Sequence, residues 1–82
     1  MLSLNDLQHF AGQMAGYLAC DIDDTSDPKY YGFTAKDGSW YIIKESVASK
    51  TFRYAKGSSN YTTNWTGKAD LTYDYPYNTF NV

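Results

Sequence analysis

A two-residue alternation of apolar and polar side chains, broken by one turn signal, constrains this chain more than any other feature. The alternation runs through residues 29–35 (KYYGFTA) and resumes in residues 39–46 (SWYIIKES). Between them lies Asp37-Gly38, a dipeptide typical of the tight turn that joins two antiparallel strands. The pattern therefore predicts a β-hairpin over residues 29–46.

Two shorter runs extend the predicted sheet. Residues 47–50 indicate a second turn, and residues 51–56 (TFRYAK) a third strand. A loop rich in Gly and Ser follows, and residues 69–75 (ADLTYDY) are predicted as a last short strand. The inner faces of these strands, together with one Trp of the loop, give a predicted core made of Phe33, Trp40, Ile42, Phe52, Tyr54, Trp65, Leu71 and Tyr73.

Apolar residues recur at helical spacing in residues 3–19, with Ser3 placed to cap the helix and Asp6 near the positive end of its dipole. Gly12 and Gly16 each weaken such a helix by about 1 kcal/mol relative to alanine. We therefore expect one side of the helix to pack closely against the sheet or another subunit. The predicted fold class is α+β, with an N-terminal amphipathic helix and an antiparallel meander of about four strands.

The acidic and basic residues are distributed unevenly along the chain. The predicted organisation is a helical arm (1–20), an acidic connector (21–28), a small antiparallel β domain (29–75) and a C-terminal tail (76–82). The first 28 residues hold five of the nine acidic residues and none of the seven basic ones, so the rest has a basic surplus of three. This asymmetry favours docking of the acidic part on the basic domain, within one chain or on a neighbouring copy.

The sequence Asp21-Ile-Asp23 has the carboxylate spacing of haloacid-dehalogenase-like phosphatases. That chemistry uses one aspartate as nucleophile and the other as acid and base, with Mg²⁺ at the end of a buried parallel strand. An 82-residue chain lacks the repeated βαβ units that such a sheet needs. A calcium loop is disfavoured because Ser26 and Gly32 occupy the places of its Gly and Glu. We predict no enzyme, catalytic residue, cofactor or metal site.

Other residue types narrow the function classes further. Cys20 and His9 are each the only residue of their type, so neither a disulfide within the chain nor a zinc cluster or catalytic triad is expected. The basic residues are spaced singly, a pattern that does not favour nucleic-acid binding. The N-terminus lacks the basic start of a signal peptide, and no apolar run approaches the ~20 residues that span a bilayer. We expect neither nucleic-acid binding, nor a signal peptide, nor membrane insertion.

Aromatic content points to a binding role. Nine Tyr, four Phe and two Trp are more rings than a core of this size can bury. Tyr and Trp are enriched at interaction surfaces because they tolerate partial exposure. We expect protein contacts in a homo-oligomer, and a sugar-stacking platform is the alternative. The predicted partner interface consists of Leu7, Phe10, Met14, Leu18, Tyr61, Tyr75, Tyr77 and Phe80.

Residues 30–75 resemble a group of short proteins encoded in the structural modules of tailed bacteriophages and prophages. The shared pattern is a strand with Trp, an aromatic-Arg-Tyr strand, a Gly/Ser loop, a lone Trp, and a basic-Ala-x-Leu-x-Tyr ending. Lys68 stands where the group has Arg, and the N-terminal helix is not part of the pattern. The matching positions are Trp40, Arg53, Tyr54, Gly57, Tyr61, Trp65, Lys68, Ala69, Leu71 and Tyr73.

This resemblance implies a role in the virion, with other virion proteins as partners. The protein would be made in the cytoplasm of the bacterial host and would serve in capsid decoration, at the head-to-tail junction, or in tail or fibre attachment. Two alternatives remain open. One is a carbohydrate- or receptor-binding module of a phage tail, and the other is a small inhibitor of a host protein that uses residues 21–27 to mimic phosphate.

Overall fold

Four consecutive antiparallel strands form a meander sheet in the order β1-β2-β3-β4. The computed structural model describes residues 16–80. Two short helices and one 3₁₀ turn follow the sheet and belong to the C-terminal part of the chain. The elements are β1 (Tyr17–Asp23), β2 (Lys29–Ala35), β3 (Trp40–Ser46), β4 (Thr51–Gly57), α1 (Tyr61–Thr66), the 3₁₀ turn (Lys68–Asp70) and α2 (Pro76–Phe80).

The predicted hairpin is present as β2 and β3. Phe33 lies opposite Tyr41, and the turn is closed by the Ala35 amide, which donates to the Ser39 carbonyl at 2.8 Å. Gly38 has a φ of 93°, a conformation that glycine adopts without strain. The Asp37 carboxylate accepts hydrogen bonds from the Ser39 hydroxyl at 2.6 Å and the Ser39 amide at 2.9 Å. These bonds lower the pKa of Asp37 and hold the turn shut.

The predicted α+β fold class is wrong, because the described chain is mainly an antiparallel sheet whose only helices are short and C-terminal. The end of the predicted 3–19 helix is instead β1, and its residues 3–15 lie outside the described residues. The helical spacing reaches this segment through Leu18, which lies four residues after Met14. Leu18 is instead a strand residue and is 66% exposed on β1. A β-bulge interrupts the pairing of β1 between Ala19 and Asp21.

The predicted last strand, residues 69–75, is also wrong. Its first residues belong to the 3₁₀ turn, and the following segment meets the sheet at one point only. There the Tyr54 amide donates to the Asp74 carbonyl at 2.7 Å, and the Asp74 amide donates back at 2.9 Å. The chain crosses the edge of β4 here instead of running along it, so a longer ladder does not form.

The sheet buries side chains on both faces. The first cluster, called the Phe80 face, consists of Tyr31, Phe33, Tyr41 and Ile43, and Phe80 packs against it. The second cluster, called the α1 face, consists of Tyr30, Trp40, Ile42 and Ala55, with Tyr61 and Trp65 of α1 packed on it. Residues 61–80 therefore pass from one face to the other around β4.

The predicted core residues divide between these two clusters. Phe33 is buried on the Phe80 face, while Trp40 and Ile42 are buried on the α1 face. The other five are half-buried: Phe52 and Tyr54 on the Phe80 face, and Trp65, Leu71 and Tyr73 on the α1 face.

Candidate functional site

Helix α1 covers the α1 face of the sheet and packs directly over Gly32 of β2. Gly32 has no side chain, and the six-membered ring of Trp65 lies 3.0 Å from the position a β-carbon would take, with the Tyr61 hydroxyl closer still. The Tyr61 hydroxyl donates to Asp21 Oδ2 at 2.7 Å. Burial raises the pKa of Tyr61, and its hydrogen bonds to Cys20 and Asp21 raise it further. Tyr61, predicted as an interface residue, thus packs on its own sheet.

The two aspartates with phosphatase-like spacing hold local structure. Both lie on β1, an antiparallel strand at the edge of the described sheet, whereas the phosphatase arrangement needs the end of a buried parallel strand. Asp23 forms an ion pair with Lys68 (Nζ–Oδ2 3.2 Å) and accepts a hydrogen bond from Thr25 at 3.1 Å. The hydrogen bond from Lys68 is the main reason that the pKa of Asp23 is lowered.

The segment after β1 is tied to the rest of the chain. The Asp27 carboxylate accepts hydrogen bonds from the amides of Val47 at 2.7 Å and Ala48 at 3.4 Å, across to the β3–β4 turn. Lys29 Nζ donates to the carbonyl oxygen of Asp24 at 2.8 Å. These contacts fix residues 24–29 beside the sheet.

An arginine and two tyrosines form the most prominent exposed aromatic feature of residues 16–80. The guanidinium carbon of Arg53 lies 4.0 Å from the ring centroid of Tyr75, and the Tyr75 and Tyr77 rings stack with centroids 5.3 Å apart. Tyr75 remains 44% exposed and Tyr77 57% exposed. We call Arg53, Tyr75 and Tyr77 the Arg–Tyr surface.

The elements beneath the Arg–Tyr surface hold it in place. Arg53 Nη1 donates to the Phe52 carbonyl at 2.8 Å, which positions the guanidinium on β4. The Asp74 carboxylate accepts a hydrogen bond from the Tyr75 amide at 2.7 Å at the start of α2. The Thr79 hydroxyl donates to the Tyr54 carbonyl at 3.2 Å and ties α2 back to β4. The surface is thus largely pre-formed.

The structure disperses the predicted interface residues. Tyr75 and Tyr77 lie together and exposed, and Leu18 is 66% exposed on β1. Phe80 packs on its own sheet, with its ring centroid 5.4 Å from that of Tyr41. The remaining three, Leu7, Phe10 and Met14, lie outside the described residues.

Sequence reasoning did not include Arg53 in the predicted interface. Arg53 and Tyr75 are far apart in the chain, and only the crossing of the C-terminal segment over β4 brings them together. The aromatic-Arg-Tyr run at residues 52–54 was the available signal, because it places Arg53 on the opposite side of the strand from Phe52 and Tyr54.

Among residues 16–80, no group of three His, Cys, Asp or Glu side chains is placed to hold a metal ion. No helix in that range is long and apolar enough to cross a membrane.

Comparisons with protein-family models, with curated proteins and with solved structures found no significant match for this chain.

Proposed function

We propose that this protein is a non-enzymatic binding protein that acts through protein–protein contacts in a symmetric bacteriophage assembly. The observation that carries the proposal is the exposed stack of Arg53, Tyr75 and Tyr77. Arg and Tyr are among the residues that contribute most binding energy at protein interfaces. A stack of this kind offers a partner both apolar ring area and hydrogen-bond donors.

The rigidity of this stack supports a binding role. Burying a side chain at an interface costs about 0.5–1.5 kcal/mol when a flexible side chain must first be immobilised. Here the guanidinium and the Tyr75 ring already hold one another, and hydrogen bonds fix α2 to β4. Binding therefore needs little further ordering of this surface.

The virion setting rests on the resemblance of residues 30–75 to proteins of phage structural modules. On that basis the partners are other copies of this chain and other virion proteins, and the site of action is the capsid surface, the head-to-tail junction or the tail. Homo-oligomers suit such a setting because phage particles repeat their subunits symmetrically.

A carbohydrate-binding module of a phage tail is the second candidate, and the exposure of Tyr75 and Tyr77 is the observation that favours it. These two rings stack on one another at 20° instead of lying side by side, and Arg53 lies over the Tyr75 ring. This arrangement offers a sugar less ring surface than a flat platform would, so protein contact is the stronger proposal.

An inhibitor that mimics phosphate is less well supported. Asp21, Asp23 and Asp27 all direct their carboxylates to partners within the chain. Few acidic groups of this segment are then left to occupy another protein's anion site.

Incorporation into particles tests the proposal. A tagged chain would be expressed during growth of the encoding phage, as the wild type, as the Tyr75→Ala/Tyr77→Ala double variant, and as Val47→Ala, which truncates an exposed apolar side chain in the β3–β4 turn. We expect the wild type and Val47→Ala in purified particles and a loss of at least about tenfold for the double variant. Absence of the wild type, or equal incorporation of all three chains, would overturn the proposal.

A further inference from the structure

A basic groove lies on the α1 face next to the Arg–Tyr surface. Lys44 of β3 stands directly opposite Arg53 of β4, and on the next rung of the same face Ser46 stands opposite Thr51. The groove has a volume of about 390 Å³. Its walls are completed by Pro28, Leu71 and Tyr73.

The placement of Lys44 directly opposite Arg53 is electrostatically unfavourable by itself. Side chains directly opposite in an antiparallel pair have β-carbons about 4.5–5.5 Å apart, and like charges at that spacing repel. Within residues 16–80 neither cation forms an ion pair. Three carboxylates next in sequence to groove residues are used elsewhere: Glu45 accepts from a tyrosine hydroxyl on the other face, Asp27 from amides of the β3–β4 turn, and Asp74 from the Tyr75 amide just before α2.

Aromatic rings offset part of this repulsion but leave the donors available. Lys44 Nζ lies 5.4 Å from the ring centroid of Tyr73, and the guanidinium of Arg53 faces Tyr75. Arg carries five N–H donors, and one of them is used in the bond to the Phe52 carbonyl. Contact with a ring face leaves the edge of the guanidinium open to a ligand.

We propose that this groove binds a phosphate group, either free or carried by a small organic molecule. Lys44 and Arg53 supply two positive charges on one rung, and the Ser46 and Thr51 hydroxyls on the next rung supply hydrogen-bond donors. Pro28, Leu71 and Tyr73 give the groove apolar wall area for an organic substituent.

Charge and geometry favour phosphate over a carboxylate. A phosphate monoester carries close to two negative charges at neutral pH, which matches the two cations, whereas a carboxylate carries one. The planar guanidinium fits two phosphate oxygens at once, and the ammonium group acts as a compact second charge. A groove of this size lies in the range of small-ligand sites.

Amide NMR shifts followed during titration at constant ionic strength test the proposal on the full chain. The probes are inorganic phosphate, phenyl phosphate and acetate. The variants are Lys44→Gln and, as the matched control, Lys56→Gln, which removes the same charge from β4 on the Phe80 face. Lys44 lies outside the Arg–Tyr surface, so loss of phosphate binding in Lys44→Gln is separable from loss of particle incorporation.

We expect saturable shifts around residues 44–46 and 51–53 with phosphate. The affinity should fall by at least about tenfold in Lys44→Gln and stay unchanged in Lys56→Gln. Tighter binding of phenyl phosphate would support an organic phosphate as ligand, and equal binding would support phosphate alone. Acetate that binds as tightly as phosphate, shifts that do not saturate, or equal weakening in both variants would overturn the proposal.

Discussion

Asp23 joins the acidic and basic parts of the chain. Its carboxylate lies at the end of β1 and pairs with Lys68 of the 3₁₀ turn, whose ammonium also lies 4.6 Å from the ring centroid of Trp65. The asymmetry of charge along the sequence thus produces a contact within one molecule. This contact connects the edge strand to the segment that covers the α1 face.

The lowered pKa of Asp23 gives this contact a definite pH dependence. The hydrogen bond from Lys68 is the largest cause, followed by that from Thr25. A carboxyl group with a depressed pKa in the folded state stabilises the protein above its unfolded value of 3.8, and this contribution disappears as the pH falls through the folded value. Asp23→Asn should therefore be less stable than the wild type at about pH 7 and equally stable at about pH 2.

Thermal unfolding across this pH range would measure the difference between Asp23→Asn and the wild type. Asp24→Asn is the control, because within residues 16–80 the Asp24 carboxylate forms no hydrogen bond or ion pair. A gap in melting temperature between the wild type and Asp23→Asn that stays constant from neutral to acid pH would contradict this role for Asp23.

At the scale of elements, the junction of α1 with β2 depends on Gly32. Helix α1 has six residues, too few to be stable without packing partners. Its Tyr61 and Trp65 are four residues apart, so both reach the sheet from one side of the helix. The bare backbone at Gly32 lets them approach.

Gly32→Ala should destabilise the protein by about 1–3 kcal/mol, because the added methyl group has no space beneath Trp65 and Tyr61. Urea unfolding would measure the change in the free energy of unfolding. Gly67→Ala is the matched control: its φ is −94°, and its β-carbon would meet only an ordinary contact at 3.7 Å from the Thr63 carbonyl oxygen. Equal stability of the two variants would contradict this packing of α1.

The sequence predicts elements well where local signals and tertiary pairing agree. The alternation around Asp37-Gly38 locates β2 and β3 because both strands are nearest neighbours and the turn between them is local. The sequence misses β1 because Leu18 continues the helical spacing of the residues before it, and the bulge after Ala19 interrupts the alternation that would indicate a strand. It misses α1 because Tyr61–Thr66 is rich in Tyr, Thr and Asn, which are weak helix formers, and the helix depends on packing against the sheet.

The candidate site was also predictable from the sequence only in part, because much of it depends on tertiary pairing. The exposure of rings such as those of Tyr75 and Tyr77 is expected from the composition, because the chain has more aromatic residues than a core of this size can bury. Their association with Arg53, and the pairing of Arg53 with Lys44, depend on strand register and on where residues 71–80 cross β4. Neither feature has a local sequence signal.

At the scale of the whole molecule, the path of residues 61–80 determines which aromatic rings are buried and which are exposed. Trp65 and Tyr73 cover the α1 face, Phe80 packs on the Phe80 face, and the crossing between them leaves Tyr75 and Tyr77 exposed. Exposed Tyr rings held beside an Arg are of the residue types that contribute most binding energy when an interface covers them. The central claim is therefore that a second protein surface covers them.

Light scattering coupled to size-exclusion chromatography, over a range of protein concentrations, tests this claim most directly. We predict that the full chain forms a defined oligomer, that Tyr75→Ala/Tyr77→Ala shifts it towards the 9.3 kDa monomer, and that Val47→Ala leaves it unchanged. A wild type that stays monomeric at every concentration, or an oligomer that the double variant leaves intact, would contradict the account.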